Sequence, residues 1–147
     1  MINTAMVMGR EEVCFSTLDL SVFDLYTGNC EFLKAGAAPT FIRKEDKMEH
    51  IYSESLPLGV MRGQKIEKSS HQLSSGDMVV MVTDGVLDAL PAGEQQKLLD
   101  LMILGSTITN PKEMAHYILE KVLELGGDPP GDDMTVLVAG IWHICYN

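Results

Sequence analysis

Five consecutive apolar residues, Met78 to Val82, run without a break into Thr83-Asp84-Gly85. A strand that is apolar at every position has no face to give to water, so it has to lie inside a layered fold, covered on both sides. Later in the chain Gly131-Asp132-Asp133 leads into a second apolar run, Met134 to Trp142, read as a last buried strand. Burying two such strands requires a sizeable core, and 147 residues with 46% hydrophobic side chains can build one. The whole span, residues 1–147, reads as one domain, with no internal repeat, low-complexity tract or linker.

The patterning on either side fills in the layers. Leu18, Leu20 and Val22 alternate with Asp19 and Ser21, which marks a strand within Cys14 to Leu25. After a turn at Tyr26 to Asn29, further strands are expected at Cys30 to Ala35, Thr40 to Arg43 and Met48 to Tyr52. Together they read as an antiparallel meander. Leu56-Pro57-Leu58-Gly59-Val60 reads as a loop, because proline cannot donate to a ladder. Lys65 to Leu73 reads as a half-buried strand. Two helices follow, Gly93 to Leu104 and Pro111 to Leu125.

The second helix is the better signalled, with Asn110 as N-cap, Pro111 in the first turn and Glu113 completing a capping box. Met114, Ile118, Val122 and Leu125 mark its buried face, and Gly126 is expected to supply a left-handed exit. Strands, two helices and a closing strand predict an α+β domain with helices packed on antiparallel sheet.

Composition removes several function classes. Eleven Lys and Arg stand against 21 Asp and Glu, a net charge of −10, which is the wrong field for a phosphate backbone and excludes nucleic acid as an expected partner. Cys14, Cys30 and Cys145 form no Cys-x-x-Cys pair and read as small buried hydrophobes in a reducing compartment. Neither apolar run nears the ~20 residues that span a bilayer, and the first residues lack a basic n-region, so a soluble chain of cytosolic character is expected. His50, His71, His116 and His143 are dispersed, which gives none of them a ligand's role. No G-x-S-x-G elbow surrounds Ser16, Ser53 or Ser74. Arg43, Lys44, Lys47, Arg62, Lys65 and Lys68 make the middle locally basic, either as a solvated face or as a surface that steers an acidic phosphoprotein.

The chemistry points to the two acidic segments. If the strands they border are antiparallel neighbours, Asp84 and Asp132 enter the same space, where two carboxylates repel unless a proton or a cation lies between them. Oxygen-only donors at a strand end suit Mg²⁺ or Mn²⁺, and such an ion can activate water against a phosphoester. The alternative stays open at this stage: Asp84 and Asp133 as ordinary turn and capping residues beside Gly85 and Gly131.

At these segments the sequence resembles a family. Val79-Val80-Met81-Val82-Thr83-Asp84-Gly85-Val86-Leu87-Asp88-Ala89 and Gly131-Asp132-Asp133-Met134-Thr135-Val136 are similar to the two C-terminal signatures of metal-dependent PP2C-type protein serine/threonine phosphatases. Ser16-Thr17-Leu18-Asp19-Leu20-Ser21, Lys34-Ala35-Gly36-Ala37-Ala38-Pro39 and Leu56-Pro57-Leu58-Gly59 resemble the branch containing stage II sporulation protein E, and stress-response phosphatases of sigma-factor pathways share most of these motifs.

The resemblance implies an antiparallel β-sandwich flanked by helices, with two Mn²⁺ or Mg²⁺ ions in a cleft at the sheet edge. Carried over by position, Asp84 and Asp132 are metal ligands, Asp133 is a weaker contact, and Gly85 lets backbone pass close to the site. Asp88 is read as a helix-start residue. The implied substrate and partner is a phosphorylated anti-sigma factor antagonist, and the implied parent is anchored in the cell membrane with this part on the cytoplasmic side.

One departure from the family pattern matters. The family's Asp-Gly-Met-Gly-x-Gly segment, whose aspartate bridges both ions, has no counterpart in these 147 residues. The chain is therefore expected to be the later part of a phosphatase domain lacking its N-terminal strands, to bind metal weakly or not at all by itself, and to be inactive alone. Exposed edges are expected to favour a homodimer. The other function class compatible with the sequence is a regulatory or interaction module that keeps the fold without the chemistry.

Overall fold

The structure, a computed structural model, describes residues 3, 15–45, 47–66, 68–126 and 131–142. It is an α+β arrangement with two antiparallel sheets. In chain order the elements are β1 (Leu18–Phe23), β2 (Asn29–Ala35), β3 (Thr40–Lys44), β4 (Lys47–Ile51), β5 (Lys68–Gln72), β6 (Met78–Val82), α1 (Asp84–Asp88), α2 (Gln95–Gly105), α3 (Pro111–Gly126) and β7 (Val136–Gly140). Two compact units result. Met1–Ala37 with Tyr52–Leu73 carries the sheet β1-β2-β5, and Ala38–Ile51 with Ser74–Asn147 carries the sheet β4-β3-β6-β7 and the three helices.

The expected meander is corrected. β1 pairs with β2 and β3 with β4, but β2 takes β5 as its other neighbour and β3 takes β6. Gly36 explains why β2 does not fold back as a hairpin onto β3. It turns the chain with φ 63°, and its N–H is already committed to Ser53 Oγ and the Ser55 carbonyl, each at 2.8 Å. A Cβ at this position would lie 2.9 Å from Pro57 Cα, so only glycine passes here.

Within the first unit, the alternation of β1 hides its polar side. Leu20 and Val22 are 46% and 50% exposed, whereas the opposite face sets Asp19 directly across from Lys34, whose side chain is only 3% exposed and donates to Asp19 Oδ2. Burial pulls the Lys34 ammonium below its ordinary pKa, and the Asp19 hydrogen bond works against that fall. Cys30 is buried as expected, and desolvation pushes its thiol up to about 11, which makes it inert packing. Cys14 and Cys145 lie outside the described residues.

The second unit holds a core in which Phe41, Val80, Val86, Leu99, Ile103, Met114, Ile118 and Val122 are fully buried. β6 is central in its sheet and almost wholly buried, as its composition requires. β7 is not a fully buried strand: among the described residues it lies at the edge of this sheet, paired only with β6, and Leu137 is 53% exposed.

Arg43, read as part of a basic face, instead donates to the carbonyls of Ile103, Ser106 and Ile108 and so satisfies groups at the C-terminal end of α2. His50 and Asp100, 2.8 Å apart, tie β4 to the same helix.

α3 begins as its signals require, with Asn110 Oδ1 accepting from Lys112 N at 3.0 Å and Glu113 N at 3.2 Å. Its buried side is Met114, Ile118 and Val122, while Leu125 is 52% exposed. Gly126 has no left-handed φ; its missing side chain instead lets the helix approach Ala89, whose carbonyl oxygen would lie 2.5 Å from a Cβ. Asn110→Ala is expected to cost about 1 kcal/mol in urea denaturation, because two first-turn amides lose their acceptor.

Candidate metal-binding loops

The site grows out of the β6–β7 pair. The two strands are antiparallel with Val82 opposite Val136, so the residues leaving β6 meet the residues entering β7. That is the juxtaposition the acidic segments need. Thr83 follows β6 with extended backbone (φ −83°, ψ 161°), and Asp84 is the first residue of α1. A five-residue helix leaves no periodicity to read in sequence, so this short turn of helix has no counterpart among the expected elements. Asp88 is its last residue and not the start of a helix, which corrects the reading of that position.

Thr83 joins the two loops. Its N–H donates to the Thr135 carbonyl at 3.1 Å, and Thr135 N–H returns a bond to Thr83 Oγ1 at 2.9 Å. The Thr83 hydroxyl donates in turn to the Asp133 carbonyl at 3.4 Å. Because the hydroxyl is spent across the loops, it makes no cap on α1. Sequence patterning does not single out Thr83; its one signal is a hydroxyl placed between a buried strand and Asp-Gly.

Gly85 is buried and packs its backbone against the Asp132–Asp133 segment. A Cβ there would lie 3.1 Å from the Asp133 carbonyl carbon and nearer still to its oxygen. The expectation that Gly85 allows a close backbone approach thus acquires a named neighbour. Asp132 Oδ1 accepts from Asp133 N at 2.7 Å, which fixes one oxygen of that carboxylate within its own loop.

Asp84, Asp132 and Asp133 are all exposed, and Asp133 contributes its main-chain carbonyl to the packing between the loops. Two acidic loops are therefore held side by side with no cation among their hydrogen-bond partners in the described residues.

The donor chemistry fits a hard divalent ion in kind. Carboxylate and carbonyl oxygens suit Mg²⁺ or Mn²⁺, which keep several waters and need few protein ligands. Among the described residues no three His, Cys, Asp or Glu side chains gather as a metal cluster, so what this chain offers is part of a ligand set. Nor, among these residues, is any helix long and apolar enough to cross a membrane.

Comparison with known proteins bears on the family and the fold. The family model for Stage II sporulation protein E matches residues 1–142. Stage II sporulation protein E of Bacillus subtilis is 33% identical over 143 residues, covering 97% of this chain and 17% of the relative. The solved PP2C phosphatase domain with a fragment of the regulatory domain of SpoIIE from Bacillus subtilis superimposes with a TM-score of 0.86 at 31% identity, over 97% of this chain and 43% of that one. A manganese-presoaked structure of the SpoIIE phosphatase domain from the same organism gives 0.77 at 32% identity, over 89% and 58%. The chain thus spans less than a fifth of the curated Bacillus subtilis relative.

Proposed function

Because the chain belongs to the stage II sporulation protein E family, we propose that residues 1–147 form the C-terminal part of a PP2C-type phosphatase domain that hydrolyses phosphoserine on a phosphorylated anti-sigma factor antagonist. The observation that carries this reading is the fastening of the two acidic loops by Thr83, with Gly85 closing on the Asp132–Asp133 segment.

In this reading Asp84 and Asp132 hold the divalent ions, and Asp133 stays a weaker contact. When bound, the ions supply an activated water and charge stabilisation for phosphoester hydrolysis. The chain's own residues do the positioning. Thr83 keeps the loops in register, Gly85 keeps them close, and the Asp133 amide orients the Asp132 carboxylate. In the same reading the parent protein is anchored in the cell membrane with this part on the cytoplasmic side.

Two carboxylates on exposed loops bind weakly by themselves. Manganese titration of the 147-residue chain is expected to show millimolar affinity, and a phosphoserine-peptide assay at millimolar Mn²⁺ is expected to show no turnover. A longer family chain that includes the bridging aspartate is expected to release phosphate from the same peptide. Turnover by the 147 residues alone would overturn the shared-ligand reading. A longer chain that binds Mn²⁺ yet never hydrolyses phosphoserine would favour a binding module.

A further inference from the structure

α1 carries Asp84 as its first residue, yet a helix of five residues is far below the length at which helix holds by itself in water. Its place is therefore set by what closes on it. Val86 is fully buried and pins the middle of α1 to the core, so pressure at one end of the helix tilts it and moves the other.

Both ends of α1 meet backbone. At its start, a Cβ on Gly85 would lie 3.1 Å from the Asp133 carbonyl carbon and 3.5 Å from that of Asp132. Just past its end, a Cβ on Gly126 would lie 2.5 Å from the Ala89 carbonyl oxygen, 3.0 Å from Ala89 Cβ and 3.2 Å from the Ala89 carbonyl carbon. Each seam is open only to glycine. The two seams are joined through the helix, because Ala89 N–H donates to the Gly85 carbonyl at 3.2 Å. They are joined along the chain as well: Gly126 ends α3, and five residues later Gly131 opens the Gly131-Asp132-Asp133 segment.

We propose that Gly126 is a positioning residue for the acidic loops: the seam it forms with Ala89 sets, through α1, where Asp84 stands relative to Asp132. A side chain at Gly126 has two ways to find room. Either α1 tilts and takes Asp84 with it, or the end of α3 moves and takes with it the chain that leads into Asp132. The body of α3 stays, because Met114, Ile118 and Val122 are fully buried. Both movements change the separation of two carboxylates that act on one ion, and such a constellation tolerates only about 0.5 Å of change. The inference deepens the metal reading of these loops and rests on it.

The test is NMR on the 147-residue chain and its variants. Gly126→Ala fills the seam. Gly105→Ala is the matched control, since Gly105 ends α2 as Gly126 ends α3 and, among the described residues, nothing lies within 4 Å of a Cβ built on it. Alanine is the better helix former at both positions, so a loss confined to one of them comes from the seam. Without metal, Gly126→Ala is expected to speed hydrogen exchange about tenfold at Thr83 N–H and Thr135 N–H, which bond across the two loops, while the amides in the body of α3 keep the parent's rates. With substoichiometric Mn²⁺, amides at 84–85 and 131–135 of the parent are expected to broaden, and Gly126→Ala is expected to need about tenfold more Mn²⁺ for the same broadening. Gly105→Ala is expected to follow the parent in both measurements. Ala89→Ser enlarges the other side of the seam, is expected to act in the same direction, and serves where Gly126→Ala does not fold. Unchanged exchange at Thr83 and Thr135, faster exchange spread evenly over the chain, or Mn²⁺ broadening equal to the parent's would each overturn the positioning role and leave the metal reading standing. A parent chain that shows no broadening at either acidic loop at millimolar Mn²⁺ would overturn the metal reading and this inference together.

Discussion

Asp84→Asn and Asp132→Asn are each expected to weaken manganese binding by at least about tenfold and, in a longer family chain able to turn over, to slow phosphoserine hydrolysis by ~10²–10³-fold, the several kcal/mol that a positioned metal ion contributes to a transition state. The substitution is chosen to remove charge and little else. Asparagine keeps a carbonyl oxygen, so the Asp132→Asn side chain can still accept from Asp133 N–H and the loop keeps its shape. Both positions are exposed, so metal-free stability is expected to stay within about 0.5 kcal/mol of the parent chain.

The two states thus separate. Without manganese the variants melt with the parent. With it, the parent gains stability by mass action and the variants gain less. Differential scanning fluorimetry with and without Mn²⁺ reads both arms. Equal stabilisation of parent and variants by Mn²⁺ would remove these two aspartates from the metal reading, while leaving the family assignment intact.

How much of this was legible in the residues depends on the length scale of each signal. β6 was plain because five apolar residues in a row admit only a covered strand, and α3 was plain because Asn110, Pro111 and Glu113 mark its start while Met114, Ile118 and Val122 keep helical spacing over about two turns. The pairing of strands was not legible. β1 to β4 follow each other at hairpin distance, and what divides them between two sheets is the commitment of Gly36 N–H to Ser53 and Ser55, residues that patterning cannot associate with it.

Burial direction was the other blind spot. On β1 the polar residue Asp19 points to the covered side because Lys34 waits opposite, and an alternation of types does not say which set faces in. In the site, the two acidic segments announced themselves as Asp-Gly and Gly-Asp-Asp next to apolar runs, and they were brought together by the predicted antiparallel neighbours. The bonds that fasten them, Thr83 to Thr135 and Asp133, come from a residue type too common to single out. α1 is shorter than two turns, so neither its existence nor the place of Asp88 at its end could be read from periodicity.

Gly85→Ala is expected to destabilise the chain by about 2–3 kcal/mol, although it adds a single methyl group and removes no carboxylate. The new Cβ would press on the Asp133 carbonyl, and neither side can give way easily. On one side Gly85 is buried and its neighbour Val86 is fully enclosed in the core, which holds α1 in place. On the other, the Asp133 carbonyl accepts from Thr83 Oγ1, and Thr135 is bonded twice to Thr83. Separating the loops to make room would lengthen those bonds, at roughly 1 kcal/mol for each one lost. For a chain of this size the melting temperature is expected to fall by roughly 5–10 °C.

Gly131→Ala is the matched control: it lies in the partner loop and, among the described residues, has no neighbour within 4 Å of a built Cβ, so it is expected to stay within about 0.5 kcal/mol of the parent. Thr83→Val removes the hydroxyl while keeping the shape, and is expected to cost about 1–2 kcal/mol by leaving Thr135 N–H without its acceptor, with Thr83→Ser recovering most of the loss. If the loops act together on a metal ion, Gly85→Ala also weakens manganese binding while both carboxylates remain, whereas Gly131→Ala does not. Thermal melts of Gly85→Ala and Gly131→Ala that coincide would mean that the backbone contact between Gly85 and Asp133 does not hold the two acidic loops together.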